Sequence, residues 1–179
     1  VNEGDWPNIH GGASSQRYSP LDQINADNVA ELEIAWSFST KGFGPTTDFT
    51  NPSTPLEVNG VLYANVGNTR NVVALDAASG QLLWLYRYQE GDRFDEAPRK
   101  GAGRGVSFWT DGESERIIDV SPGYLLVSLD AKTGIPDPNF GNNGVVDLFV
   151  GVRNGDDPRY AYPEIGLSAP PLVMNDVIV

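Results

Sequence analysis

The sequence predicts an all-β chain of repeated four-stranded antiparallel sheets, the blades of a β-propeller. Three observations carry this. The stretch Val72-Val73-Ala74-Leu75-Asp76-Ala77-Ala78-Ser79-Gly80 returns as Leu126-Val127-Ser128-Leu129-Asp130-Ala131-Lys132-Thr133-Gly134, so Asp76 and Asp130 stand 54 residues apart (130 − 76). A repeat of that length is a little longer than the roughly 40–50 residues of common propeller blades. Pro55 to Ala64 is echoed by Pro171 to Val179 at an offset of 116 (171 − 55), about twice the same period. Twenty Gly and thirteen Pro with 10% aromatic residues suit many short strands joined by tight turns.

Each element follows from local chemistry. Residues 1–30 read as an irregular segment broken by Trp6-Pro7, Gly11-Gly12 and Ser19-Pro20. Ala26 to Ile34 is the best helix candidate, with Val29, Leu32 and Ile34 as its apolar face. Leu32 to Ser39 alternates apolar with small or polar residues and is expected as a strand. After a polar loop over 41–54, Leu56 to Val66 predicts a hairpin about Asn59-Gly60, the strongest short-range hairpin signal. Val72 to Leu75 and Leu82 to Tyr86 complete a first sheet.

Residues 89–103 are charged and Gly-rich, hence a loop. Gly105 to Thr110, Arg116 to Val120, Tyr124 to Leu129 and Val145 to Val150 predict a second sheet, and a third begins at Pro171. In the repeated frame the Asp carboxylate accepts backbone hydrogen bonds of the turn and Gly takes its positive φ. Asp76 and Asp130 are therefore turn-makers, and Trp36 and Trp84 are expected to lock neighbouring blades together. Asp156-Asp157 with Arg153 and Arg159 reads as a surface ion-pair cluster.

Composition excludes several functions. Twelve basic against 24 acidic residues give a net charge of −12, which disfavours nucleic acid and anionic membrane surfaces. There is no Cys, which excludes thiolate sites, and the single His, His10, disfavours a His-clustered metal site or a Ser-His-Asp triad within the chain. No run of about 18 apolar residues occurs to span a membrane. A 54-residue blade fits about three times, whereas propellers close with about four to eight blades. Residues 1–179 are therefore expected to be about three blades of a single propeller domain in a longer polypeptide.

Asp5-Trp6-Pro7, Gly11, Arg17-Tyr18-Ser19-Pro20-Leu21, Gln23-Ile24, Asn28-Val29 and Ala35-Trp36-Ser37-Phe38 precede the repeat in order. Arg104-Gly105-Val106-Ser107-Phe108-Trp109, Leu129 to Gly134 and Phe140-Gly141 with Asn143-Gly144-Val145 follow. These blocks resemble the quinoprotein dehydrogenases, which use pyrroloquinoline quinone (PQQ), with the glucose dehydrogenase branch most similar and the alcohol dehydrogenases next. The resemblance implies an eight-bladed propeller, of which residues 1–179 are the N-terminal portion, with PQQ near its axis. It implies a calcium ion (Ca2+) that polarises the quinone carbonyl, and a carboxylate base acting on a sugar (glucose-like) or alcohol hydroxyl. It also implies a periplasmic enzyme passing electrons to a membrane quinone or a c-type cytochrome. The base and the Ca2+ ligands are expected downstream of Val179, so no catalytic or metal residue is assigned in this segment.

The cofactor-binding residues carried over by the resemblance are Arg104, Ser168 and Asn51. Arg104, flanked by Gly103 and Gly105, matches the family Arg that contacts the acidic edge of PQQ; its alternative is a salt bridge between blades. Ser168 matches a hydroxyl donor to a PQQ carboxylate. Where the family has a contacting Glu this chain has Pro52, so either Asn51 or Thr54 substitutes or the contact is lost. Ala102-Gly103 stands where some members carry Cys, so no vicinal disulfide can form. The rival reading is a non-catalytic propeller that uses the same repeat as an envelope scaffold or binding module.

Overall fold

A computed structural model describes residues 1–12, 15–46, 50–152 and 165–179. The first sheet comprises β1 (Leu56–Val58), β2 (Val61–Val66), β3 (Asn71–Asp76) and β4 (Leu82–Tyr86), paired antiparallel in chain order. The second comprises β5 (Ser107–Thr110), β6 (Glu115–Val120), β7 (Leu125–Asp130) and β8 (Val145–Asp147) in the same order. A third unit begins with the hairpin β9 (Val173–Met174) and β10 (Val177–Ile178). Between the first two sheets lies a single-turn helix, α1 (Asp92–Asp95), inside the segment expected as a plain loop.

The repeated frame is an Asp-closed turn in both sheets. Asp76 Oδ1 accepts the Ser79 N–H at 2.7 Å and the Ser79 hydroxyl at 2.6 Å. Asp130 Oδ1 accepts the Thr133 N–H at 2.9 Å and its hydroxyl at 2.8 Å. Gly80 and Gly134 close the turns at φ +71° and +69°. Each of these glycines also lies under an indole of the preceding segment: a Cβ on Gly80 would come within 2.5 Å of the Trp36 ring, and one on Gly134 within 2.6 Å of the Trp84 ring. Trp36 Nε1–H donates to the Ala77 carbonyl at 3.0 Å and Trp84 Nε1–H to the Ala131 carbonyl at 2.9 Å. The two tryptophans thus lock neighbouring units as expected, by a ring on a bare glycine and one directional hydrogen bond.

Between the sheets lies a continuous apolar core. Leu56, Val58, Val72 and Ala74 of the first sheet meet Phe108, Ile117, Val127 and Leu129 of the second, all buried. Trp36, Phe38 and Phe43 cover the other face of the first sheet, and Val173 and Ile178 pack on the other face of the second. Sheet faces stack one upon the next, which gives alternate strand positions on both sides something to bury against.

Two elements differ from the sequence expectation. Instead of a helix over Ala26 to Ile34 there is one 3-10 turn, Val29–Glu31, and the backbone leaves helical geometry at Leu32. Val29, Leu32 and Ile34 remain exposed, so no tertiary burial offsets the cost of nucleating so short a helix. Leu32 to Ser39 forms no ladder among the described residues. Its alternation instead sends Trp36 and Phe38 against the first sheet. The last strand of the second sheet is also shorter than expected: Asp147 turns the chain by accepting the Phe149 N–H at 2.9 Å, and Arg93 fixes that carboxylate with two donors at 2.8 and 2.6 Å. The expected Asp156-Asp157 ion-pair cluster lies outside the described residues.

Candidate cofactor-binding site

The segments that enter the three units lie side by side. Arg104 donates its backbone N–H to the Ser168 carbonyl at 2.8 Å, and its own carbonyl accepts the Thr54 N–H at 3.0 Å. Position 104, just ahead of β5, is thereby bracketed by residues just ahead of β1 and β9. The turn Gly67–Arg70 between β2 and β3 reaches the same end of the sheets, because antiparallel strands return every second connection to one face.

Arg104 is exposed. Its guanidinium makes no ion pair or side-chain hydrogen bond among the described residues, so the salt bridge between blades is not formed there. It lines a cavity of about 350 Å³ shared with Trp6, Ile9, His10, Arg17, Pro52 and Thr54. The N-terminal segment closes one side: Trp6 pairs with Glu57 through two backbone bonds of 2.6 and 3.1 Å, on the free edge of β1. Arg17 then folds back, its N–H on the His10 carbonyl at 3.0 Å and its Nε–H on His10 Nδ1 at 3.2 Å. A chain of net charge −12 therefore lines this cavity, among the described residues, with two guanidiniums and an imidazole and no carboxylate.

Ser168 is half-buried and joined to Arg104 through the backbone. Asn51 is exposed; its Oδ1 accepts the Ser53 N–H at 3.0 Å, which rounds the turn into β1, while Pro52 and Thr54 line the cavity. Gly103 and Gly105 serve close approaches within the protein. A Cβ at Gly105 would lie 2.8 Å from the Thr54 carbonyl oxygen, and one at Gly103 would lie 2.9 Å from Arg70 Nε. The sequence alone does not mark Arg17 and His10 as site residues. The signal available was positional: they belong to the ordered block before the repeat, whose Trp6 end is tied to β1.

A second polar group lies deeper between the sheets. Asp119 Oδ2 accepts from Asn65 Nδ2 and from the Tyr88 hydroxyl, each at 2.9 Å. Burial pushes the Asp119 carboxyl up to about 7, against the pull of the Arg70 charge and these donors. Burial and Asp119 push the Tyr88 phenol well above its ordinary range, which keeps it a donor. Among the described residues no group of three or more His, Cys, Asp or Glu is placed to hold a metal ion. No helix there is long and apolar enough to cross a membrane.

Residues 6–179 match the family described as PQQ: Glucose/ethanol/alcohol dehydrogenase, beta-propeller domain. The chain is 40% identical over 132 residues to the dehydrogenase subunit of alcohol dehydrogenase (quinone) of Gluconobacter oxydans, covering 73% of this chain and 16% of that protein. It is 32% identical over 194 residues to quinoprotein glucose dehydrogenase of Escherichia coli, covering 100% of this chain and 23% of that protein. The crystal structure of quinohemoprotein alcohol dehydrogenase from Comamonas testosteroni superimposes with a TM-score of 0.68 at 27% identity, over 98% of this chain and 22% of that one. The chain thus spans less than a quarter of the length of each. Its blades, its ordered N-terminal block and its match over residues 6–179 agree: the chain belongs to the PQQ-dependent glucose, ethanol and alcohol dehydrogenases and forms part of their β-propeller domain.

Proposed function

We propose that the protein containing this chain oxidises a sugar (glucose-like) or alcohol hydroxyl in the periplasm, with PQQ as its cofactor, and that Arg104, Ser168 and Asn51 face that cofactor. The observation that carries the reading is the guanidinium of Arg104, which among the described residues has no acidic partner and lines a cavity with no carboxylate. That donor set fits a polycarboxylate: a planar guanidinium offers two parallel donors to one carboxylate, and Arg17 brings a second fork to the same space.

When bound, PQQ supplies a quinone carbon that accepts hydride, with Ca2+ as the Lewis acid. The residues of this chain bind and orient. Arg104 is held at a fixed height by its two backbone bonds. Ser168, one link away, offers a hydroxyl, and Asn51 and Thr54 border the position of Pro52. The general base and the Ca2+ ligands are contributed by residues outside this chain, and a membrane quinone or c-type cytochrome takes the electrons.

The test uses full-length protein freed of PQQ. It is reloaded with PQQ and Ca2+ and assayed with an artificial electron acceptor and either glucose or short alcohols. Dye reduction that depends on added PQQ is expected with at least one of them. Absence of reduction with all of them overturns the enzymatic reading in favour of a scaffold propeller.

A further inference from the structure

Arg70 is a charged side chain only 2% exposed, and its four hydrogen-bond acceptors among the described residues are all main-chain carbonyls. Its Nη1 donates to Val120 at 2.8 Å and to Leu167 at 2.5 Å. Its Nη2 donates to Arg99 at 2.8 Å and its Nε to Gly101 at 3.3 Å. No carboxylate lies within ion-pair distance among the described residues, so main-chain dipoles take the place of a counter-ion at the guanidinium.

The acceptors are not a random set. Arg99 and Gly101 belong to the segment that delivers Arg104. Leu167 immediately precedes Ser168. Val120 ends β6 in the second sheet. Gly103 lies so close to Arg70 that any Cβ there would strike the guanidinium stem. One fork from the first sheet therefore grips both segments that present the proposed cofactor contacts. Resting on the reading above, we propose that Arg70 is a positioning residue for the PQQ site: it sets the height of the Arg104 and Ser168 backbones through the carbonyls of Arg99, Gly101 and Leu167.

The role calls for arginine. A guanidinium spreads donors over a rigid plane and so spans carbonyls on separate segments, whereas a lysine ammonium radiates three donors from one point. With Lys at 70 at least one carbonyl loses its partner, and the segment relaxes to satisfy it elsewhere. The site then loses its shape without losing any group that touches the cofactor.

The experiment is a double-mutant cycle on full-length apoprotein, with PQQ affinity read by equilibrium dialysis at fixed Ca2+ and the melting temperature of each apoprotein alongside. Arg104→Ala is expected to weaken PQQ binding about tenfold or more, as loss of a charge-assisted pair does. Arg70→Lys is expected to weaken it about fivefold or more in the presence of Arg104 and Ser168, and by less than about twofold in a background carrying both Arg104→Ala and Ser168→Ala. Gly103→Ala, which leaves Arg70 intact but drives the segment off it, is expected to reproduce the loss should Arg70→Lys fail to fold. If Arg104→Ala leaves affinity unchanged, the cofactor reading falls and this inference with it. If Arg104→Ala weakens binding while Arg70→Lys and Gly103→Ala do not, or weaken it equally in both backgrounds, the positioning role alone is overturned; a lowered melting temperature without that coupling marks a purely structural residue.

Discussion

Gly134→Ala tests the lock between blades at its contact point. The backbone there has φ +69°, and a Cβ would lie 2.6 Å from Trp84 Cε3 and 2.7 Å from Cδ2. The left-handed backbone alone costs about 1 kcal/mol for alanine. The ring cannot simply retreat: it is 9% exposed, packs 6.0 Å from the Tyr63 ring centre and holds the Ala131 carbonyl through Nε1–H. Forcing a methyl into such a contact adds about 1–3 kcal/mol, for a total of about 2–4 kcal/mol. Gly60→Ala is the matched control, since φ is +79° and nothing lies within 4 Å of its Cβ; it should lose only the backbone share, about 1 kcal/mol. Urea unfolding of the two variants gives the difference directly. In a Trp84→Ala background, itself about 3–5 kcal/mol less stable, Gly134→Ala should shrink to the Gly60→Ala value. Equal losses for the two glycines, or full additivity with Trp84→Ala, would show that the indole does not bear on Gly134.

Arg104→Ala should leave the melting temperature of the apoprotein within the range of ordinary surface changes while lowering PQQ affinity, because its side chain is exposed and unpaired among the described residues; a large drop in stability would place it in a structural role. Asp119 has its carboxyl raised from 3.8 to about 7 in the folded state, so between those pH values the folded protein holds a proton that the unfolded chain releases. That contribution is complete below about pH 4 and lost as pH rises through 7. Measured against Asp119→Asn, wild-type stability should decline across that window by on the order of 1.4 kcal/mol per pH unit at most, and a flat difference would rule the buried proton out. Asp130→Ala, which strips the Thr133 N–H and hydroxyl of their acceptor, should cost about 1 kcal/mol in thermal unfolding, and Asp130→Asn less, since an amide oxygen can still accept.

What the sequence disclosed and what it hid divide along physical lines. The Asp-closed turns, the Asn59-Gly60 hairpin and the strand order are local, written within a few residues, and the structure forms them where the repeat puts them. The two tryptophans were legible because each stands in an apolar stretch ahead of one copy of the frame, 48 residues apart (84 − 36). Leu32 to Ser39 has the alternation of a strand, but a ladder needs a neighbour's hydrogen-bonding edge, which periodicity does not report. Arg70 was invisible for the same reason. A charged residue ending a Gly-Asn-Thr turn reads as a solvated loop, and what buries it are carbonyls 29 to 97 residues away in sequence. The cationic cavity is likewise non-local: His10 and Arg17 meet Pro52 and Arg104 only because Trp6 pairs with Glu57. Residue chemistry fixed the family and the blades, but the site is assembled by backbone contacts between segments that share no pattern.

The interface between the first two sheets is clamped at both ends by different chemistry, and the difference follows from what each end faces. At the end that carries the Asp-closed turns, Trp84 and Tyr63 both deliver a polar hydrogen to the Ala131 carbonyl, and the rest of the contact is apolar ring on glycine. At the other end Arg70 binds carbonyls and Asp119 takes Asn65 and Tyr88, because several segments enter there with unpaired main-chain groups that an apolar plug would orphan. Six-residue strands separate the ends by about 20 Å. Groups that far apart with no shared partner should act independently. Trp84→Phe, which drops the hydrogen bond but keeps a ring, and Arg70→Lys should therefore add in apoprotein stability, while only Arg70→Lys moves PQQ affinity. A Trp84→Phe variant that loses PQQ binding in step with its stability would mean that the blade moves as one rigid piece, and that the polar end has no private hold on the cofactor side.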